Sequence, residues 1–216
     1  MATQGTMLIC SDRLEKLALQ LHGQFLGQRY QRFGWTWNCQ NAAGFTQVIN
    51  LQANPDSDVC SFTVNLGVYV PQINRFQQRV EQRGFVQEAE CDFRERLSII
   101  AYQQDRWWQL SDDPLALAEQ LLSLLHQAEA WFEQYRDVET IIQTWEHSTH
   151  SAEWTRDSEL QMVLLFAQCG QDHRARQLLM QLLLRANPHD LSLAPDEDVP
   201  IEPEILRLLS RLNRES

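Results

Sequence analysis

The 216-residue sequence has no hydrophobic run long enough to cross a membrane. Its longest uninterrupted apolar stretch covers only residues 162–167, whereas a spanning helix needs about 20 apolar residues. It also lacks the glycine-rich phosphate loop, the G-x-S-x-G elbow and the HExxH helix of common enzymes. The N-terminus has neither a basic start nor a signal-length apolar core, so we expect no export. These absences predict a soluble globular protein with no catalytic signature, no cofactor and no metal site.

Cysteine is sparse and forms no recognisable pattern. The five cysteines are Cys10, Cys39, Cys60, Cys91 and Cys169, and no two of them make a C-x-x-C pair. An odd number of widely spaced cysteines is typical of reduced, mostly buried thiols. We therefore expect a cytoplasmic protein. A chain of this length buries about seven-tenths of its surface, so its core needs neither disulfides nor a metal.

The net charge of −11 is concentrated in one part of the chain. Residues 1–110 carry 10 acidic and 10 basic side chains, whereas residues 111–216 carry 19 acidic and 8 basic ones. Residues 111–150 alone contain eight acids and a single basic residue, Arg136. Such a field repels nucleic acid and attracts basic partners. An acidic solvent face that only keeps a long helix soluble is the more common reading of such a pattern.

Hydrophobic periodicity predicts an α+β fold for the first half of the chain. Asp12 and Glu15 resemble a capping box that begins an N-terminal helix. Alternating apolar residues then predict three antiparallel strands near residues 35–39, 47–51 and 62–70. A short helix follows around residues 73–80, and a fourth strand is predicted over residues 91–101. The expected sheet therefore has about four strands.

The second half of the chain is predicted to be all-helical. Asp113-Pro114 begins a long helix, because proline is well tolerated in the first turn. Two further helices, with Gly170 between them, resemble one tetratricopeptide-type hairpin. An acidic linker over residues 194–203 leads to a last helix over residues 205–212. We predict an α+β domain over residues 1–150 and a helical segment over residues 151–216 packed on it.

Four segments carry a resemblance to a known family. They are Ile49–Gln52 (INLQ), Phe62–Gly67 (FTVNLG), Cys91–Leu97 (CDFRERL) and Trp107–Leu110 (WWQL). In this order they resemble a bacterial family of domains of unknown function, over roughly residues 11–135. The resemblance implies an α+β fold but no established activity and no catalytic residues. Small α+β proteins of this kind often occur as immunity proteins beside bacterial toxins, which is an analogy of fold only.

The leading functional interpretation is a non-enzymatic immunity-type protein that binds and neutralises a basic bacterial toxin. Its small size, its lack of catalytic signatures and its concentrated acid favour this reading. The acids would steer and pair with arginine or lysine on the partner, and Trp131 would supply an anchor. Neither nucleic acid nor a membrane is expected as a partner, and the oligomeric state stays open. The predicted binding residues are Asp112, Glu119, Glu129, Trp131, Glu133, Asp137 and Glu139.

The alternative is an enzyme or a small-ligand-binding domain that uses the polar face of the sheet. Asn50, Gln52, Thr63 and Asn65 alternate with apolar residues on two neighbouring strands, and Arg94 and Arg96 lie on the fourth. A pocket beside Asn65 and Arg96 would favour this alternative. Polar alternation is, however, also what the solvent face of an antiparallel sheet requires, and we expect these side chains to be exposed.

Three further patterns have ordinary structural explanations. Arg75, Arg79 and Arg83 form a basic helical stripe that suits an anion site but more commonly is a solvated face. Trp107 and Trp108 fit either an interface anchor or a cap on the sheet. The His147–His150 segment has zinc-like spacing without a second ligand cluster. A third function, in which the C-terminal hairpin docks a partner peptide, also remains open.

Overall fold

The computed structural model describes residues 4–24, 26–54, 60–76, 84–110, 113–147 and 156–186. It has the α+β organisation expected from the sequence, with an N-terminal helix, an antiparallel sheet and a helical C-terminal half. The strands are β1 (Gln31–Phe33), β2 (Thr36–Gln40), β3 (Thr46–Ala53), β4 (Ser61–Tyr69), β5 (Phe93–Arg96) and β6 (Trp108–Gln109). The helices are α1 (Gln4–Gln24), α2 (Pro71–Phe76), α3 (Leu97–Tyr102), α4 (Pro114–Glu133), α5 (Val138–His147), α6 (Arg156–Gln168) and α7 (Asp172–Ala186).

The chain divides into two compact units. The first unit comprises residues 1–70 and 82–137, and it contains α1, the whole sheet, α3 and α4. The second comprises residues 71–81 and 138–216, and its described helices are α2, α5, α6 and α7.

The sheet has six strands rather than about four. Its order is β1-β2-β3-β4-β5, every pairing is antiparallel, and the short strand β6 pairs with β4 beside β5. The predicted strand over residues 91–101 is wrong in its second half, because α3 begins at Leu97. Short apolar runs fit both periods, and the segment from Leu97 to Tyr102 alternates well enough to resemble a strand.

One face of the sheet is apolar and forms the core of the first unit. Alternate residues of β4, from Phe62 to Val68, are at most 1% exposed. Helix α1 packs against β3 and α4, and its buried stripe confirms the helical period read from the sequence. The predicted capping box is wrong, because α1 begins at Gln4 and Asp12 lies inside it. Glu15 instead accepts hydrogen bonds from Arg32 and Trp35. The buried residues of α1 are Leu14, Leu17, Ala18 and Leu21.

The expectation of five reduced cysteines is wrong. Cys10 in α1 and Cys60, immediately before β4, form a disulfide with their Cα atoms 5.2 Å apart. The two residues are 50 positions apart and meet only because α1 packs along the sheet, so their spacing contains no signal. Cys39, Cys91 and Cys169 are free thiols.

In the second unit, α6 and α7 form the predicted helical hairpin. Residues 162–167 of α6 are all buried. Gly170 lies between the helices with a φ of +70°, a left-handed conformation that glycine adopts without strain. The predicted linker over residues 194–203 and the last helix over residues 205–212 lie outside the described residues. Within the part of the chain that the structure describes, no helix is both long and apolar enough to cross a membrane.

Candidate functional site

The second face of the sheet is polar at the centre of β3 and β4. The register pairs Asn50 with Asn65 and Gln52 with Thr63, so the side chains at these positions share one face. Asn65 Nδ2 donates hydrogen bonds to Gln52 Oε1 (2.8 Å) and to Asn50 Oδ1 (3.4 Å). Asn50 Nδ2 donates in turn to Thr36 Oγ1 (2.8 Å). A connected row of side-chain amides therefore crosses three strands.

This polar face is only partly the exposed surface expected from its alternation, because Gln52 is exposed and Asn50 half-buried but the two side chains of β4 are buried. Thr63 is 0% exposed and Asn65 is 6% exposed. The segment 84–91 covers one end of the face, where Asn38 Nδ2 donates to the Val86 carbonyl and Val86 N–H donates to Asn38 Oδ1. At the other end, the Arg106 carbonyl accepts a bond from Thr63 Oγ1 at 3.4 Å. Irregular segments therefore cover a face that strand periodicity assigned to solvent.

Gly67 allows the covering segment to approach the sheet closely. A Cβ at this position would lie 2.5 Å from Cys91 Sγ and 2.8 Å from Cys91 Cβ. Burial is the main cause that raises the pKa of the Cys91 thiol well above its usual value. Cys91 is thus a neutral packing residue, and its contact with Gly67 fixes the height of the segment above the sheet.

Between the two covered ends lies an open cleft of about 400 Å³, which we call the polar-face cleft. Its floor is made by side chains of β3 and β4, and its walls by β5, α3, the turn at residues 88–90 and the loop after α3. Glu95 and Ile99 contribute to the walls. The other residues that line it are Gln52, Asn65, Glu88, Arg94, Arg96 and Asp105.

Four of the five charged groups of the polar-face cleft form two ion pairs. Arg94 Nε and Nη2 donate to the two carboxylate oxygens of Glu88 at 2.6 and 3.0 Å, and this bond raises the pKa of Arg94. Arg96 Nη1 donates to Asp105, and its guanidinium lies 5.3 Å from the centre of the Trp107 ring. The Glu95 carboxylate accepts the backbone N–H of Arg96 (2.8 Å). Three carboxylates against two guanidinium groups leave the cleft with a net charge of −1.

The predicted acidic binding residues fall in a different place. Glu119, Glu129 and Glu133 are all exposed on α4, and at 100° per residue they lie within about 80° around the helix axis. We call these three residues the acidic side of α4. The helix contains no lysine or arginine, and among the described residues these three carboxylates form no ion pair with either. Among the described residues, the basic groups near Glu129 are His126, whose Nδ1 is 4.0 Å from Glu129 Oε1, and Arg29, which interacts with it electrostatically.

The remaining predicted binding residues do not join the acidic side of α4. Trp131 lies about 160° from Glu133 around the axis, and its ring packs against those of Phe132 and Tyr135 at 5.1 and 4.8 Å. Asp137 pairs with Arg136 at 3.3 Å. Glu139 is exposed on α5 in the second unit, and Asp112 lies outside the described residues.

The two tryptophans of the Trp-Trp pair have different environments. Trp108 is 9% exposed and lies 6.0 Å from the ring of Phe62, so it caps the sheet. Trp107 is 36% exposed and contacts Arg96 at the edge of the polar-face cleft.

In the basic stripe, Arg79 and Arg83 lie outside the described residues. His150 does too, and the described residues contain no cluster of metal-ligating side chains.

Sequence reasoning missed half of the cleft. Asn65, Gln52, Arg94 and Arg96 were singled out because they lie on strands. Glu88 and Asp105 come from a short turn and a loop, where periodicity carries no information about which way a side chain points. The only available signal was charge complementarity with Arg94 and Arg96.

Residues 30–135 match one family model, described as "Domain of unknown function (DUF4304)". The match includes the sheet, the polar-face cleft and all of α4, and no activity is established for the family. It confirms the resemblance to a domain of unknown function that the sequence segments indicated. No curated protein and no solved structure matches the chain.

Proposed function

We propose that this chain is a non-enzymatic protein-binding module that binds a basic partner through the acidic side of α4. The observation that supports this proposal is that Glu119, Glu129 and Glu133 are exposed, on one side of one helix, and not paired with arginine or lysine among the described residues. Elsewhere in the first unit, carboxylates such as Glu15 and Glu88 are used in internal ion pairs. The acids of α4 remain available to a partner.

The acidic side of α4 would act on the rate at which a basic protein encounters this chain. Exposed carboxylates of one sign produce a field that steers a basic protein toward them and raises its association rate. Among the described residues, Glu119 and Glu133 form no ion pair, and Glu129 has only His126 at 4.0 Å and a longer-range interaction with Arg29. A new pair with the partner's arginine or lysine therefore displaces little existing pairing. Asp112 and Glu139 stay predictions from the sequence, and Trp131 would contribute only the exposed part of its ring.

The specific role that we propose is that of an immunity-type protein, which neutralises a basic bacterial toxin by covering its active face. Small size and the acidic side of α4 support this role. The corresponding location is the cytoplasm of the cell that makes the toxin. That location stays a prediction. It rests on the expectation of five reduced cysteines, whereas Cys10 is bonded to Cys60.

The test is to co-express the chain with the product of the neighbouring open reading frame and to measure association rates by surface plasmon resonance. We expect Glu133→Lys and Glu129→Lys each to slow association about 3- to 10-fold at low salt, and less at high salt. Asp12→Lys is the matched control, because it reverses a charge on an exposed helical carboxylate of the same unit. We expect it to change the rate by less than twofold.

Two outcomes would contradict the proposal. The first is that no basic partner is retained at low salt. The second is that the α4 variants and Asp12→Lys have equal association rates, because steering would then depend on net charge alone. The immunity role fails separately if the partner binds but its activity is the same with and without the protein.

A second candidate function is the binding of a small ligand in the polar-face cleft. The observation that favours it is the cleft itself, which lies beside Asn65 and Arg96 and has a volume within the range of small-molecule sites. This candidate is independent of the acidic side of α4.

A further inference from the structure

The floor of the polar-face cleft presents amide groups that have unused hydrogen-bonding capacity. Asn65 is 6% exposed, and its side chain acts as the donor, through Nδ2, in its hydrogen bonds to Asn50 and Gln52. Gln52 accepts one of these bonds through Oε1. Within the described part of the chain, no group donates a hydrogen bond to Asn65 Oδ1. Gln52 Nε2 likewise donates to no acceptor there. An acceptor and a donor therefore lie next to each other, which is the complement of a carboxamide.

The charges along β5 have a definite order. Because residues two apart on a strand lie on one face about 7 Å apart, the pairs Glu88–Arg94 and Arg96–Asp105 place two positive groups side by side with a carboxylate at each end. Arg94 Nη1 and the Nε and Nη2 of Arg96 make no bond to any described residue. These guanidinium groups therefore keep donors free for one additional anion.

The order of charges selects against ions of a single sign. A polyanion would meet three carboxylates, and a simple cation would meet two guanidinium groups. A zwitterion suits both, because its carboxylate can lie between Arg94 and Arg96 while its ammonium faces Asp105, which is 50% exposed. An α-amino acid carries these two charges on adjacent atoms, and the cleft of about 400 Å³ is large enough to hold one.

We infer that the polar-face cleft binds an α-amino acid with a side-chain carboxamide, of which L-glutamine is the probe. Its carboxylate binds Arg94 and Arg96, its ammonium binds Asp105, and its carboxamide pairs with Asn65 and Gln52. Ile99 offers the apolar wall for its methylene groups. The inference rests on the second candidate function and names its ligand, and it is independent of the proposed protein partner.

The experiment is a titration of the full chain with L-glutamine, followed by two-dimensional amide NMR of both backbone and side chains. For an open cleft and a ligand of about ten non-hydrogen atoms, we expect a dissociation constant on the order of 0.1–1 mM. The side-chain amide signals of Asn65 and Gln52 should shift. L-Norleucine, which has no carboxamide, should bind at least tenfold more weakly, and so should butyramide, which has no charges.

Matched variants locate the site. Arg96→Gln removes a guanidinium that lines the cleft, and we expect it to weaken glutamine binding at least tenfold. Arg106→Gln removes one that lies over Tyr102 at 4.6 Å and does not line the cleft, so we expect no change. Gln52→Glu keeps the shape of the side chain but replaces the Nε2 donor that would face the carboxamide with an acceptor. It should also weaken glutamine binding at least tenfold, and it provides a second test if Arg96→Gln alters the fold.

Four outcomes would overturn the inference. Equal glutamine affinity in the wild type and Arg96→Gln would place the ligand elsewhere. Tighter binding of inorganic phosphate than of glutamine would mean that the cleft is an anion site. If no probe at 10 mM shifts any amide signal of the cleft, the second candidate function is contradicted as well. If norleucine alone binds, and its binding depends on Arg96, only the assignment of a carboxamide ligand is contradicted.

Discussion

The polar-face cleft and the acidic side of α4 belong to one unit, but they treat charge in opposite ways. In the cleft, Glu88 and Asp105 are each paired with an arginine, and the net charge is close to zero. On α4, Glu119 and Glu133 have no basic partner among the described residues, and Glu129 has only a histidine at 4.0 Å and a longer-range interaction with Arg29. The charged groups of the cleft mostly form internal ion pairs, whereas the carboxylates of the helix are exposed to solvent.

Because their charges are arranged differently, the two regions suit different kinds of ligand. Paired charges are held in place and favour a small ligand that matches their geometry. Unpaired exposed charges hold no fixed geometry, but their field extends about 8–10 Å at ordinary salt concentrations and influences the approach of a whole protein.

Reduction of the Cys10–Cys60 disulfide should have the largest effect on stability. For a closed loop of about 50 residues, loss of the cross-link should lower the free energy of unfolding by about 4 kcal/mol. Urea unfolding with and without dithiothreitol measures this change in free energy. Reduction leaves every carboxylate of α4 unaltered. The double variant Cys10→Ser with Cys60→Ser should be insensitive to the reductant. Identical wild-type curves under both conditions, or five alkylatable thiols without reductant, would contradict the prediction.

Substitution of Gly67 should disturb the polar face itself. Gly67→Ala places a methyl group 2.5 Å from Cys91 Sγ, so the segment 84–91 must move, and we expect a loss of about 1–3 kcal/mol. Gly23→Ala is the control, because nothing lies within 4 Å of the Cβ it adds to α1, and it should be neutral or stabilising. Chemical denaturation measures both variants. Equal effects would mean that the segment does not depend on its contact with the sheet.

The sequence predicted the parts of the cleft that regular structure positions. Alternation from Phe62 to Val70 identified β4, and the neighbouring strand β3 followed from the same period. Once both strands are antiparallel partners, Asn65 and the amides of β3 must share a face. The charged walls could not be predicted in the same way, because Glu88 and Asp105 lie in irregular segments whose course depends on tertiary contacts such as the bonds between Asn38 and Val86.

The same limit explains the errors in the fold. Residues 97–102 form α3 because this segment packs against α4 and β4, which a short apolar run does not reveal. The disulfide likewise depends on how α1 lies along the sheet. By contrast, the acidic residues of α4 were placed on one helix correctly, since their spacing and the helical period are properties of the local sequence.

The junction between α4 and the sheet predicts a loss of stability at high pH. Tyr135 stacks on Phe93 of β5 at 4.7 Å, and burial raises its pKa to about 12 from a usual value of 10. The folded state therefore retains a proton that the unfolded state loses, so stability falls as the pH rises from 10 toward 12. Between pH 9 and 11 this one group should account for about 1 kcal/mol.

The variant Tyr135→Phe isolates that contribution. Burial also raises the pKa of Tyr30, so the wild type loses stability through at least two groups, and the variant should lose about 1 kcal/mol less over the same interval. The measurement is the difference between unfolding free energies at pH 9 and pH 11 in each protein. Parallel pH profiles would show that Tyr135 is not buried against β5.

The smallest effect distinguishes the two sets of carboxylates directly. Glu88 is 12% exposed and makes two hydrogen bonds to Arg94, so Glu88→Gln should cost about 1 kcal/mol, reduced by the 51% exposure of Arg94. Glu133→Gln removes a carboxylate without a basic partner among the described residues, and it should leave stability unchanged or slightly higher because it relieves repulsion. Urea unfolding at low and high salt measures both.

A double-mutant cycle makes this last comparison decisive. Combining Glu88→Gln with Arg94→Gln should reveal a coupling of about 0.5–1 kcal/mol that decreases with added salt. Combining Glu133→Gln with the same arginine variant should show none. If Glu133→Gln destabilises the protein as much as Glu88→Gln, the acids of α4 support the fold, and their availability to a basic partner can no longer be argued from the structure.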